Sequence, residues 1–293
     1  MIALAFAASL SVLGPAPTQG AAIAPAARAA LGASQGLRSC PEGTTLIGSQ
    51  SCVDTYEAHL VHAPEGGAEV AHPAWERPRE GERYLARSAA GVLPQGYISR
   101  VEAQAACRAA GKRLCSMKEW QRGCRFKGWG RWPYGGEGKR GVCNTGKKHL
   151  LTELFGKPRG GMRYEEHFNS PELAKTPGYL ALSGAHPECK TELGVHDMVG
   201  NLHEWVSDTV DDAFVERLAA EPVERRKQPW RVGNGVFMGG FYSTTSEHGP
   251  GCDFVTFAHE PAYHDYSTGF RCCADPVRAT LPTTKLGKSK PRR

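Results

Sequence analysis

Ten cysteines constrain this 293-residue chain more than any other feature of its sequence. Their number is even, they are scattered from Cys40 to Cys273, and no two of them form a C-x-x-C pair. Zinc ribbons and thioredoxin-type redox sites need such close pairs, so neither is expected. A scattered, even set is typical of a disulfide framework formed in an oxidising compartment. Buried free thiols in a cytosolic enzyme are the alternative.

The amino-terminal sequence favours export. Residues 2–13 form an apolar run that ends at a Gly-Pro pair, which is too short to span a bilayer and typical of a signal peptide. The Ala-Arg-Ala segment at 27–29 is the best cleavage point. We therefore predict a signal peptide over residues 1–29, a linker over residues 30–39, and export to the periplasm or the extracellular space without a transmembrane anchor.

The charge distribution argues against nucleic acid as a partner. The formal net charge is +6, but five lysines and arginines follow Thr284, so the rest of the chain is nearly neutral. A basic tail that contains proline is more often a solvated end than a nucleic-acid-binding arm. The sequence also has no basic helix with interleaved aromatic residues. We predict a solvated basic tail over residues 277–293 and no binding of nucleic acid.

The composition predicts a loop-rich fold. The chain has 35 glycines and 20 prolines, which favour turns and irregular segments over long helices. Two helix starts are nonetheless marked by capping boxes, Ser99 with Glu102 and Ser116 with Glu119, in which the serine hydroxyl and the glutamate carboxylate each accept a backbone N–H. Residues 211–227 have the composition of an inserted, charged helix. The predicted fold class is α+β with little regular secondary structure.

Four segments occur in one order along the chain and together carry a family resemblance. They are A-C-R-A-A-G-K-R-L at 106–114 leading to Glu119-Trp120, W-P-Y-G at 132–135, G-V-H-D-M-V-G-N-L-H-E-W-V at 194–206, and G-G-F-Y at 239–242 closing on G-F-R-C at 269–272. Over residues 40–276 the chain resembles the formylglycine-generating enzyme, or sulfatase-modifying factor, family. The resemblance implies a single α+β domain of C-type-lectin-related fold.

The chemistry of that family depends on residues that this chain lacks. Its enzymes oxidise a substrate cysteine to formylglycine with two closely spaced cysteines after the Gly-Gly motif, which bind copper(I) through soft thiolates. Here the first position falls on Thr244, the second falls within 247–249, and residues 241–251 contain no cysteine. Phe241 replaces the usual serine, and His203 replaces the usual aromatic residue of the G-N-x-x-E-W motif. We therefore expect neither copper nor formylglycine-generating activity.

The resemblance also implies two of the disulfides, Cys107–Cys272 and Cys124–Cys252, so that Cys252 is not a surviving catalytic thiol. The other six cysteines allow many connectivities. The pairs that we expect among them are Cys40–Cys52, on the basis of local reach, together with Cys143–Cys189 and Cys115–Cys273.

A structural calcium ion is the cofactor that the resemblance implies. Carboxylate and carbonyl oxygens suit calcium. The matching positions in the G-N-x-x-E-W turn are Asp197 and Glu204 through their side chains, and Gly200 and Leu202 through their carbonyls. A weaker counterpart of a second calcium site includes Asn144. The alternative is that Asp197 and Glu204 only cap turns.

Two functions remain open at the level of the sequence. The first is an exported, non-catalytic module whose cleft receives a peptide, glycan or protein ligand. The second is an oxidase that acts on a protein cysteine, either of the formylglycine-generating type or through a metal held by His203, His248 and His196. Aromatic and histidine side chains with polar neighbours suit recognition. The predicted ligand cleft comprises His203, Tyr242, Thr244 and His248, and the surface around it includes Phe257, His259, Tyr263, His264 and Tyr266.

Overall fold

The computed structural model describes residues 38–125, 127, 130–219 and 230–278. The predicted signal peptide, most of the predicted linker, the predicted charged helix beyond residue 219 and the tail beyond residue 278 lie outside the described residues. Within the described ranges, no helix combines the length and the apolar character that a membrane crossing requires.

Short strands provide most of the regular structure. They are β1 (Arg38–Ser39), β2 (Thr44–Ile47), β3 (Ser51–Asp54), β4 (Ala58–His62), β5 (Val70–Ala71), β6 (Tyr84–Ser88), β7 (Arg113–Leu114), β8 (His203–Thr209), β9 (Gly235–Met238), β10 (Val255–Thr256), β11 (Thr268–Phe270), β12 (Cys272–Ala274) and β13 (Val277–Arg278). In the described residues they form sheets in the orders β1-β13, β2-β3-β12-β7, β5-β4-β6 and β10-β9-β8-β11. In the β1-β13 pair, Arg38 lies opposite Arg278 and Ser39 opposite Val277.

Helices are short and few among the described residues. They are α1 (Arg100–Ala109), α2 (Met117–Cys124), α3 (Leu150–Phe155), a π-helical turn (Tyr164–Phe168), α4 (Glu172–Lys175), α5 (Asp212–Ala219) and a 3-10 turn (Gly251–Asp253). Both predicted capping boxes form: Ser99 and Glu102 cap α1, and Ser116 and Glu119 cap α2. The fold class is therefore the α+β, loop-rich class that the sequence predicts.

Buried tryptophans attach β8 to its surroundings. Trp120, on α2, and Trp205, on β8, are fully buried. The indole N–H of Trp205 donates to the carbonyl of Ile98 at 2.9 Å, and that of Trp120 donates to the Glu204 carboxylate at 2.6 Å. Because a buried indole N–H needs an acceptor, these bonds fix β8 against both capped helices.

All ten cysteines lie within the described residues, and all ten are paired. The adjacent residues Cys272 and Cys273 belong to separate hydrophobic clusters, because successive side chains of a strand point to opposite faces. The long loop closed by Cys107–Cys272 stabilises the fold by at most about 5 kcal/mol in the chain-entropy model. The pairs are those expected from the sequence: Cys40–Cys52, Cys107–Cys272, Cys115–Cys273, Cys124–Cys252 and Cys143–Cys189.

Candidate functional site

The segment at 239–249 follows β9 and corresponds to the family's copper-binding segment. Gly240 has φ of +71°, and a Cβ atom built there would come within 2.9 Å of Thr245 Cβ. A residue with a side chain would therefore be both strained and crowded at this point. The Gly-Gly pair thus sets the path of the chain into the segment, whatever chemistry the segment carries.

Thr244 closes a tight turn in this segment. Its hydroxyl accepts the backbone N–H of Phe241 at 3.1 Å, and its own N–H donates to the Phe241 carbonyl at 3.1 Å. Gly249 lies at the end of the range in which the second copper ligand would fall. A Cβ built at Gly249 would come within 2.7 Å of Thr245 Oγ1 and 3.0 Å of the Ser246 carbonyl oxygen. A cysteine at Gly249 would therefore require the Thr245 side chain to shift.

His203 packs among phenylalanines instead of lining an open cleft. Its ring centroid lies 4.6 Å from that of Phe237, 5.2 Å from Phe241 and 5.4 Å from Phe254. Burial, reinforced by nearby His259, lowers the pKa of His203 to about 3, so the imidazole is neutral at physiological pH. Two of the residues that depart from the family pattern, His203 and Phe241, therefore pack against each other.

The other predicted cleft residues do not form one surface. Tyr242 is fully buried, and burial raises the pKa of its phenol. Its hydroxyl has no hydrogen-bond partner among the described residues. His248 is 88% exposed, and its Nε2 lies 3.8 Å from Glu247 Oε1. His203 is only 6% exposed whereas His248 is on the surface, so the two imidazoles lie in different environments.

The wider predicted ligand surface is likewise mostly covered. Phe257, His264 and Tyr266 are buried. His259 and Tyr263 are half-buried and stack on each other, with ring centroids 3.9 Å apart. Of the surface named from the sequence, the stacked pair is therefore the part that remains accessible, together with Thr244 and His248.

A buried ion pair locks the G-N-x-x-E-W turn. Arg271 donates through Nε and Nη2 to the two carboxylate oxygens of Glu204, at 2.6 and 2.7 Å. The side chains are 0% and 1% exposed. Arg271 also donates to the carbonyls of Asp54, at 2.9 Å, and His196, at 3.0 Å. The guanidinium thus ties the turn to β3 and β8 at once.

Glu57 is a residue of this centre that sequence reasoning missed. Its carboxylate accepts Asn201 Nδ2 at 2.6 Å and the Leu202 N–H at 3.2 Å, although it lies more than a hundred residues away in the chain. Burial, and then the neighbouring charges of Asp197 and Glu204, raise the pKa of Glu57 well above its usual value. Burial is also the main reason that the pKa of Asp197 rises to about 6. No local spacing signal marks Glu57, because its partners come from the distant turn.

The fit of calcium to this turn is mixed. Glu57, Asp197 and Glu204 are three buried carboxylates that face one guanidinium, an excess of negative charge that a divalent cation would offset. However, both oxygens of Glu204 are already engaged by Arg271 and Trp120, and Asp197 Oδ2 accepts the Gly184 N–H at 2.6 Å. Among the described residues no three His, Cys, Asp or Glu side chains are arranged to hold a metal. The turn therefore fits a cation by charge but not by the placement of its side chains.

Asn144, the residue expected at the second calcium site, contacts the same turn. Its Nδ2 donates to Asn201 Oδ1 at 2.7 Å and to the Tyr179 carbonyl at 2.8 Å. Its Oδ1 is buried and has no hydrogen-bond partner among the described residues. Asn144 therefore has an available oxygen, and its amide nitrogen contacts another amide and a backbone carbonyl.

These features define a class of protein: a disulfide-linked, loop-rich α+β domain that keeps the G-N-x-x-E-W turn and the Gly-Gly pair. The family model described as the sulfatase-modifying factor enzyme 1-like domain matches residues 48–276, and the chain belongs to this family. A search of curated protein sequences finds no match.

The solved structures that the chain matches share little sequence with it. The Major Tropism Determinant P3c variant is 15% identical with a TM-score of 0.42, and the match covers 83% of this chain and 55% of that one. The M1 variant is 14% identical with a TM-score of 0.43, over 84% and 55%. The crystal structure of CarF is 16% identical with a TM-score of 0.35, over 78% and 86%. The chain thus spans about half the length of the tropism determinants.

Proposed function

We propose that this chain is an exported, non-catalytic member of the sulfatase-modifying factor family that binds a peptide, glycan or protein ligand. One observation carries the non-catalytic part: every cysteine is held in a disulfide, so no thiolate is left to bind copper(I). A metal ligand set of hydroxyls would be too hard for that ion. The role that remains for the domain is recognition.

The packing around the family's catalytic segment supports the same proposal. The rings of Phe241 and His203 occupy the space beside the turn, and Thr244 uses its hydroxyl to hold the turn closed. An oxidase based on histidine would need the buried ring of His203 and the exposed ring of His248 on one ion, and these rings lie in opposite environments. The non-catalytic reading is therefore favoured over both oxidase alternatives.

Export is proposed on the basis of the disulfides. Five pairs within one domain form and persist in an oxidising compartment and are rare in the cytosol. A structural calcium ion at Asp197, Gly200, Leu202 and Glu204 also remains a proposal, supported by the excess of buried carboxylates. It would serve the stability of the turn and supply no chemistry.

The test is an assay for formylglycine. The purified protein, loaded with copper, is incubated in air with a C-x-P-x-R peptide, and the peptide is read by mass spectrometry beside an active enzyme of the family. We expect no aldehyde from the wild type and none from Thr244→Cys, which adds one thiol where the chemistry needs two. Turnover by the wild type would overturn the proposal. Circular dichroism of each sample shows whether the protein is folded.

A further inference from the structure

A cavity of about 710 Å³ lies between helix α1 and the segment at 77–84, and its lining includes no residue of the segment at 239–249. Ala262, next to the stacked pair of His259 and Tyr263, belongs to the lining. A volume of this order is typical of sites for small organic ligands. The cavity therefore adjoins the accessible part of the predicted ligand surface.

The part of α1 that lines the cavity carries small apolar side chains beside Glu102. Val101, Ala105 and Ala109 are spaced at four residues, so they form one stripe along the helix. Val101 is 58% exposed, which is unusual for a valine on a helix that packs against a core. The small alanines leave a groove beside it that the apolar body of a ligand can enter.

Two carboxylates of the cavity are already engaged. Glu102 accepts from Ser99 N at 2.8 Å, from Ser99 Oγ at 2.7 Å and from Arg77 Nε at 2.6 Å. Glu82 accepts the Tyr84 hydroxyl at 2.9 Å and lies 3.3 Å from His62 Nε2. These hydrogen bonds occupy much of the capacity of both carboxylates to accept from a ligand, and Arg77 offsets the charge of Glu102.

Two arginines of the segment at 77–84 make longer hydrogen bonds than these carboxylates do. Arg79 is 73% exposed and reaches Glu82 at 3.5 Å, and Arg83 is exposed and donates to the Ala109 carbonyl at 3.5 Å. A guanidinium has several N–H donors in a planar fork, so both residues keep donors that can face the cavity. Glu80 is the third carboxylate of the lining and is exposed to solvent, where water screens its charge.

We propose that this cavity binds a small organic anion. Its carboxylate, sulfate or phosphate group would contact Arg79 and Arg83, and its apolar body would lie along Val101, Ala105 and Ala109. Charge-assisted hydrogen bonds from arginine suit such groups, and the apolar stripe supplies the remaining contact. The inference rests on the proposed binding function and gives it a site and a ligand chemistry.

The experiment uses 8-anilinonaphthalene-1-sulfonate as the probe, because it joins a sulfonate to an apolar body and fluoresces when water is excluded. We expect saturable binding to the folded full chain. The double variant Arg79→Gln/Arg83→Gln should bind the dye about tenfold more weakly than the wild type. Ala105→Phe, which fills the groove, should weaken dye binding to a similar extent. Arg108→Gln removes an exposed positive charge from the same helix outside the cavity and should leave it unchanged.

Three outcomes would overturn the inference. The first is equal binding of the dye by the wild type and all three variants. The second is an equal loss of affinity for the dye in the double variant and in Arg108→Gln. The third is equal affinity for the uncharged analogue N-phenyl-1-naphthylamine together with insensitivity to the arginine changes. Near-UV circular dichroism confirms that each variant is folded. Because the formylglycine assay tests catalysis and the dye titration tests this cavity, either proposal can fail without the other.

Discussion

Replacing Arg271 with methionine tests the buried ion pair on which the G-N-x-x-E-W turn depends. The guanidinium binds both oxygens of Glu204 and also lies near Glu57 and Asp197, and it is completely shielded from water. Methionine keeps much of the apolar volume but leaves the carboxylates without a cation. Because an uncompensated buried charge cannot be hydrated, its cost falls on the folded state alone.

The expected loss is about 4 kcal/mol in the free energy of unfolding, the usual range for breaking one side of a buried pair. For a domain of this size that corresponds to a decrease in melting temperature of about 8 to 16 °C. Arg113 provides a matched control. It also binds both carboxylate oxygens of a glutamate, donating through Nη2 and Nη1 to Glu119 at 2.7 and 2.8 Å, but it is 42% exposed. Arg113→Met should therefore cost only about 1 kcal/mol.

Urea denaturation with the disulfides intact, followed by tryptophan fluorescence, measures both variants against the wild type. The reasoning depends on burial, since Arg271 and Arg113 each donate to both carboxylate oxygens of a glutamate. Losses of equal size at the two sites, or a loss below about 1 kcal/mol for Arg271→Met, would refute it. A shared change in the slope of the denaturation curve would instead indicate a change in the unfolded state.

Three further predictions follow from the described residues. Hydrogen bonds from Arg113 and Ser51 outweigh the effect of burial and lower the pKa of Glu119 from 4.5 to about 2. The contribution of the ionised Glu119 to stability is therefore complete above pH 4.5 and is lost as the pH falls towards 2. Measured by urea denaturation, Glu119→Gln should destabilise the protein by about 2 kcal/mol at pH 7 and hardly at all near pH 2. If the turn binds calcium, chelation should lower the melting temperature and Asp197→Ala should abolish that effect; an unchanged melting temperature argues for turn caps. Thiol titration of the denatured, non-reduced protein should find almost no free thiol, and several per chain would contradict the pairing.

The features predicted correctly from the sequence include those that depend on residues close together in the chain. The capping boxes at Ser99 and Ser116 form because each depends on residues three apart in one helix turn. The adjacent cysteines Cys272 and Cys273 show the limit of such signals. Their spacing does not say which partner each one faces, and the family resemblance was needed to assign Cys107 to Cys272.

The assignment of His203 and Tyr242 to a cleft shows why site residues are harder to predict. His203 opens β8, whose first four residues are all buried because β9 and β11 flank the strand and side chains cover both faces. Alternation along the sequence therefore cannot identify an exposed face. Glu57 escaped prediction for a related reason, since it meets Asn201 and Leu202 only through the tertiary fold.

The packing of phenylalanine rings around His203 also indicates how a member of the family could lose the catalytic chemistry and keep the fold. A cleft emptied of its metal ligands would leave a void, and an unfilled cavity destabilises a core by about 24 cal/mol per Å³. The ring of Phe241 against His203 removes such a void, while the hydroxyl of Thr244 satisfies the Phe241 N–H. Because both positions of the pair lack cysteine, one substitution cannot restore two thiolates, and a Cβ built at Gly249 would come within 2.7 Å of Thr245 Oγ1. The contacts of Phe241 and Thr244 therefore stabilise the turn in the form that lacks both thiolates.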